Sequence, residues 1–363
     1  MKAAQVVKYN APYSITTVPV PTSHELGPYD LVVKVAVASH CHTDGMVRSG
    51  IFGTKLPCTG SHEGAGTVVL VGSSVSDFKP GDRVMCGLPL HPCGKCLDCT
   101  SSPEAKQRQY CTQVDGHIGI HIDGCFAEYV RVDARSSTPV PDTVSLLSAA
   151  PLACAGRTVW RAVEQAELKA GQWLAIVGSG GGLGHLGVQF AKAKGLKVIG
   201  IDARDEGLSL TKESGADVVV DARKGKDEVV KEVQRVTGEQ GGADATITLA
   251  DVDSAAALAC AVTRMHGTMV QIAQPEEVMI PFGELIFRDI RIKGSVLCSP
   301  EESRAMMRFI AEHGISVKTV PFHGLDKIHE LVQTVEKGMI QGKAVIVVDK
   351  EQIEREKELG VRY

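Results

Sequence analysis

Cys93, Cys96, Cys99 and Cys111 crowd into one short segment, and this spacing constrains the chain more than any other feature. The run Cys93-Gly94-Lys95-Cys96-Leu97-Asp98-Cys99 repeats a two-residue gap, and Cys111 closes the set. Four thiolates complete a tetrahedral zinc shell and leave no position for water or substrate, so the spacing predicts a structural zinc that holds a lobe in shape. The start of the chain, Met1-Lys2-Ala3-Ala4-Gln5-Val6-Val7-Lys8, lacks the long apolar core of a signal peptide. With eleven cysteines, an odd number, metal ligation and free thiols are expected rather than a disulfide framework. Cys58, Cys86, Cys125, Cys260 and Cys298 read as small buried side chains.

At 363 residues the chain is long enough for two domains with separate cores. A net charge of -4 gives no electrostatic reason to expect nucleic acid or an anionic membrane as partner. No stretch approaches the ~20 apolar residues of a membrane span, and a cytoplasmic protein is expected.

Two textures divide the sequence. Up to about residue 155, short β-branched runs such as 31–38 and 65–71 alternate with turns such as Lys79-Pro80-Gly81-Asp82, which predicts an irregular β domain. Beyond it, apolar strands at 173–177, 198–202, 217–221, 245–249 and 268–272 alternate with helical stretches. Strands that are apolar throughout and separated by helices predict a doubly wound parallel sheet covered on both faces. The chain then passes 291–295 and ends in a last strand at 343–348.

A glycine cluster, Gly178-Ser179-Gly180-Gly181-Gly182-Leu183-Gly184, stands between the first of these strands and a helix beginning near Leu183. Such a helix start can accept a pyrophosphate through its free amides. Asp202 follows eighteen residues after Gly184, at the end of the next strand. A carboxylate there takes both ribose hydroxyls of an adenosine and repels a 2'-phosphate, so NAD is favoured over NADP. Arg204, two residues on, is able to accommodate the extra phosphate and keeps NADP open.

Three further segments carry potential ligands: 39–44 with Cys41, 60–66 with His62 (Gly60-Ser61-His62-Glu63-Gly64-Ala65-Gly66), and Pro151-Leu152-Ala153-Cys154-Ala155-Gly156. A mixed sulfur and nitrogen set suits a zinc with one coordination position open to a substrate oxygen. These segments resemble the catalytic-zinc segments of the zinc-dependent medium-chain alcohol dehydrogenases, most of all the yeast-like branch, and the likeness runs along nearly the whole chain. The resemblance implies an α/β protein with a GroES-like β-rich catalytic domain at 1–155 and 298–363 and a Rossmann domain at 156–297. It implies two zinc ions, NAD(H), and hydride transfer between an alcohol and the carbonyl compound. It assigns Cys41, His62 and Cys154 to the catalytic zinc, Thr43 to the substrate oxygen and the start of a proton relay, and Asp44 to the orientation of His62. Glu63 would lie behind the metal, His42 on the cofactor pyrophosphate and Thr158 beside the nicotinamide. A homodimer or homotetramer joined through the cofactor domain is expected.

Departures from the family pattern bear on substrate. Met46 stands where many members place a relay histidine. Ile51, Phe52, Leu88 and Leu90 stand where the yeast-like enzymes narrow the pocket with tryptophan, which favours substrates larger than ethanol. Eleven residues, Thr100 to Tyr110, separate Cys99 from Cys111 where the family usually has seven, and their polarity predicts an outward bulge. His91, His117, His121, His185, His323 and His329 show no ligand spacing beside a plausible partner, and the charged tail 349–359 reads as a solvated helix. The competing readings are an NADP(H)-dependent aldehyde reductase of the same superfamily and a zinc-stabilised nucleotide-binding protein without turnover.

Overall fold

A computed structural model describes residues 1–101, 107–358 and 360–361. The expected bulge between Cys99 and Cys111 falls largely on residues 102–106, outside the described residues, as does Leu359 of the tail. The chain forms two compact units, Met1–Arg157 with Cys298–Tyr363, and Thr158–Leu297.

The first unit is built on Asp30–Ser39, a ten-residue strand whose β-branched side chains are buried on both faces. It pairs antiparallel with Glu63–Val71 on one side and with Lys343–Val347, from the far end of the chain, on the other, while Tyr129–Asp133 pairs with its first half. Val33, Val35, Val37, Val68, Val84 and Val345 are buried around it. Arg83–Met85 and Thr138–Pro139 extend one edge and Thr319–His323 the other. A three-stranded sheet (Ser14–Thr17, Lys2–Val6, Cys58–Thr59) and a two-stranded ribbon (Pro89–Leu90 with Gly116–His117) complete the β structure.

The tail departs from the solvated helix that its charge pattern suggests. Helix Lys350–Glu358 buries Gln352, Ile353 and Glu356. Glu356 pairs with Arg83 and accepts the Leu146 amide at 3.0 and 3.1 Å, and Lys34 holds Asp349 at 2.6 Å. Alternating charge recorded the wet face; the buried carboxylate is tolerated because a cation and an amide satisfy it.

In the second unit six parallel strands run edge to edge as Val218–Asp221, Lys197–Asp202, Trp173–Val177, Ala243–Thr248, Thr263–Gln271 and Arg291–Gly294. The sequence order reverses at Trp173–Val177, the strand that leads into the glycine cluster, and ligands of open parallel sheets bind outside the strand ends at such a reversal. The central strands are almost wholly buried, whereas Arg291–Gly294 at the edge is largely exposed. Val229, Val233, Ala259 and Met269 belong to the apolar cluster that covers the sheet.

Candidate metal and nucleotide sites

Backbone pairing brings the dispersed donors together. Ser39, at the end of one long strand, lies opposite Glu63, the first residue of its neighbour, so Cys41 and His62 leave the same end of the sheet. Cys41 caps helix His42–Ser49, and Cys154 lies in a π-helical turn, Leu152–Gly156, inserted between two α-helical stretches. π-turns widen the helix locally and recur at functional sites. One ligand atom each from Cys41, His62, Glu63 and Cys154 lies within 4.8 Å of all the others.

Asp44 is fully buried and accepts the amides of Cys41 at 2.8 Å and Ser61 at 2.9 Å. It therefore fixes the backbone beside both donors. The hydrogen bond expected from the His62 ring to Asp44 is not seen: His62 Nδ1 has no hydrogen-bond partner among the described residues, and the bonds Asp44 makes are to the two amides. Thr43 Oγ1 lies 3.8 Å from Cys41 Sγ, and His42 is an exposed residue in the first turn of the helix. Glu63 accepts the Ala155 amide at 3.2 Å, so it ties the segment of His62 to that of Cys154.

Sequence reasoning missed Lys343. Its ammonium lies 2.7 Å from Glu63 Oε2, and the lysine is 5% exposed. Its one signal in the sequence is a cation opening an apolar strand, Lys343-Ala344-Val345-Ile346-Val347, and no spacing rule connects it to a residue 280 positions earlier.

Without a metal this cluster is a crowded set of buried charges. The hydrogen bond from Cys154, with Lys343 and His62 adding to it, holds the Cys41 thiol well below its ordinary range, while the same contact and burial raise Cys154. Burial opposes charge on His62, but the Cys41 thiolate outweighs it and lifts the imidazolium to about 9. Burial raises Glu63 to about 7 against the pull of Lys343. A divalent cation would replace the protons on Cys154 and His62 and leave a neutralised core, so the donor set fits zinc. Three of its donors are the sulfur and nitrogen types that zinc prefers.

Cys93, Cys96, Cys99 and Cys111 likewise bring their sulfurs within 4.8 Å of one another. Cys93 Sγ accepts the Cys96 amide at 3.3 Å, Cys111 Sγ accepts the Cys93 amide at 3.4 Å, and amides of Lys95 and Cys96 lower the Cys93 thiol to about 6. Amides turned onto sulfur suit four thiolates on zinc. At the base of this loop His91 bridges Asp30 (2.5 Å) and Asp115 (2.6 Å), an ionic tie to the main sheet.

In the second unit the glycine cluster connects Trp173–Val177 to helix Gly184–Ala193. A Cβ on Gly180 would stand 1.9 Å from the Gly207 carbonyl oxygen, so no larger residue lets the next helix approach. Gly181 and Gly182 follow, with Leu183 capping the helix. Asp202 is buried at its strand end and accepts the amides of Gly180 (2.9 Å), Ala203 (2.9 Å) and Arg204 (3.1 Å). Arg204 Nε lies 3.6 Å from the same carboxylate. Thr158, the first residue of this unit, is buried.

The residues expected to shape the substrate pocket differ in exposure. Ile51 is 66% exposed, Phe52 meets the ring of His121 edge-on at 6.5 Å, and Leu88 is buried. Leu90 faces a cavity of about 540 Å³ whose lining includes Val18, Leu56 and Ile122 and none of Cys41, His62, Glu63 or Cys154.

Known proteins share both units. The family model described as "Alcohol dehydrogenase GroES-like domain" matches residues 27–142, and that described as "Zinc-binding dehydrogenase" matches 182–312. An alcohol dehydrogenase of Geobacillus stearothermophilus is 35% identical over 356 residues, covering 96% of this chain and all of the relative. Alcohol dehydrogenase 1 of Emericella nidulans is 35% identical across 95% of this chain and 97% of its own length. The crystal structure of the alcohol dehydrogenase from the archaeon Aeropyrum pernix superimposes with a TM-score of 0.85 at 31% identity, over 96% of this chain and 100% of that one. Among the described residues no helix is long and apolar enough to cross a membrane. Likeness along the whole length, on a fold that gathers the family's donor types, makes this chain a member of the zinc-dependent medium-chain alcohol dehydrogenases, oxidoreductases that use zinc and a nucleotide cofactor.

Proposed function

We propose that this protein is an NAD(H)-linked alcohol dehydrogenase and carbonyl reductase of the yeast-like branch (EC 1.1.1.1 class), holding two zinc ions per chain and acting on alcohols, aldehydes or ketones larger than ethanol. The convergence of Cys41, His62 and Cys154 from three distant segments, with Glu63 behind them, carries the reading. A structural or nucleotide-binding protein without turnover has no use for a mixed donor set with an open position.

Zinc bound there makes an alcohol oxygen acidic or polarises a carbonyl, and the nicotinamide accepts or supplies the hydride. In this reading Thr43 holds the substrate hydroxyl and takes its proton, which reaches solvent without the histidine that Met46 replaces. Asp44 keeps the Cys41 and Ser61 backbone fixed, and Glu63 with Lys343 sets the charge behind the metal. Gly178, Gly180, Gly181, Gly182, Leu183 and Gly184 cradle the pyrophosphate with His42, Thr158 lies beside the nicotinamide, and Asp202 takes the adenosine ribose. Because the Asp202 carboxylate already turns three amides toward itself, it is pre-oriented and excludes a 2'-phosphate. Arg204 beside it is the one observation favouring the NADP(H)-dependent alternative.

Exposed Phe282, Ile286 and Phe287 beside the open edge strand Arg291–Gly294 support a homo-oligomer joined through the second unit. The placement is cytoplasmic, in keeping with thiols left free. Initial rates across a series of alcohols, aldehydes and ketones, each with NAD(H) and NADP(H), together with zinc per chain by elemental analysis, test the proposal. Two zincs and a preference for NADH are expected; preference for NADPH would move the assignment to the aldehyde-reductase alternative, and no turnover with either cofactor would remove it.

A further inference from the structure

The sequence suggests no ligand role for His117 or His121, but the fold sets them face to face. The His117 carbonyl accepts the amides of Ile120 (3.1 Å), His121 (2.9 Å) and Ile122 (3.4 Å), and Gly119 donates to the Ile122 carbonyl at 2.8 Å. This turn brings the two side chains together with their Nδ1 atoms 3.3 Å apart. The turn is itself pinned: Thr54 Oγ1 donates to the Ile120 carbonyl at 2.6 Å, and a Cβ on Gly119, at φ 68°, would stand 2.3 Å from the Ser61 carbonyl carbon. The pair is therefore prebuilt and rests on the backbone that leads into His62.

The two facing nitrogens are poorly served as they stand. At 3.3 Å their mutual contact is longer than a good hydrogen bond, and the His117 amide reaches His121 Nδ1 at the same weak 3.3 Å. Two imidazole nitrogens at ~2.0–2.1 Å from a tetrahedral zinc are themselves ~3.3–3.4 Å apart, so the observed gap is the bite such an ion requires. His121 is exposed and His117 half-buried, which leaves the remaining coordination positions to water. An imidazole is largely neutral at physiological pH, and the partial burial of His117 favours that neutral, ligating form.

We propose that His117 and His121 form a third, exchangeable site for a divalent cation of the zinc class, distinct from both cysteine clusters. With two nitrogen ligands and no thiolate it binds more weakly than either and empties under chelation that leaves them filled.

The test is equilibrium dialysis of the zinc-loaded protein against a graded series of free Zn2+, with bound metal counted by elemental analysis. Wild type should take up one equivalent beyond the number its cysteine clusters hold, and His117→Asn and His121→Asn should each weaken that step by about tenfold or more, ~1.4 kcal/mol. His121 is exposed, so its variant should keep the wild-type melting temperature. No additional equivalent in wild type, or an additional equivalent of unchanged affinity in both variants, would overturn the proposal. The difference between wild type and variants requires no turnover and does not depend on how many ions the cysteine clusters retain, so failure here is separable from failure of the proposed dehydrogenase activity.

Discussion

The two cysteine clusters solve opposite problems. Cys93, Cys96, Cys99 and Cys111 sit on one loop, where a short helix, Leu97–Thr100, and amides turned onto sulfur assemble the site almost without help from the rest of the chain. Cys41, His62 and Cys154 arrive from a helix cap, a strand start and a π-turn, and they meet only because Asp44, Glu63 and Lys343 tie those elements together in a buried setting. The local cluster spends four thiolates on shape. The dispersed one needs a folded domain to exist, and in return it can leave a position open.

That contrast is open to direct challenge. The largest effect should come from Cys154→Ser. On the proposed reading Cys154 is a ligand of the substrate-polarising zinc, so its loss should lower kcat/KM by on the order of 10³-fold with little change in melting temperature or in nucleotide binding followed by fluorescence. Full activity in this variant would place the chemistry elsewhere. Cys96→Ser should do the reverse: destabilisation of more than ~3 kcal/mol and aggregation on heating, seen by calorimetry, with turnover per correctly folded chain retained. If both variants lose activity without losing stability, the division between shape and chemistry is wrong.

Lys343→Met probes the feature that the local cluster lacks, a buried counter-ion. Leaving Glu63 without its partner should cost ~10–100-fold in zinc affinity at the dispersed cluster or in turnover, measured by metal competition and steady-state rates, while the four-cysteine site keeps its zinc. An unaltered enzyme would make Lys343 a packing residue only. Asp202→Ser should shift the ratio of kcat/KM values for NAD and NADP by about tenfold or more toward NADP, with Arg204 free to meet the added phosphate. A wild type that already prefers NADPH would show that Arg204 outweighs Asp202.

The smallest expected effect concerns substrate length. Each methylene that finds a dry wall is worth up to ~0.8 kcal/mol, so kcat/KM should rise only severalfold from ethanol to butanol. A flat or falling series would end that expectation.

Residues whose partners lie a few positions away were the easiest to read. The two-residue cysteine gaps, the glycine cluster ahead of a helix, and Asp202 at a strand end each announce themselves because local geometry dictates local spacing. Lys343 was invisible for the opposite reason: its partner, Glu63, belongs to a strand that the chain visits 280 residues earlier. Asp44 was legible as important but not as to its partners, because the Ser61 amide it holds comes from a segment that only the fold brings near. The tail misled in a similar way. Charge periodicity reports the face turned to water and says nothing of Glu356 and Ile353 on the other.

The sequence alone determined the alternation of strands and helices, the four-cysteine loop and the donor types available for a second metal, because backbone preference, burial period and ligand chemistry are properties of neighbouring residues. Tertiary structure decided which donors meet, which carboxylate finds a buried ammonium, and that His117 and His121 face each other at 3.3 Å. Those outcomes depend on strand register and on turns, where one backbone carbonyl gathering three amides fixes two side chains that spacing by itself leaves apart.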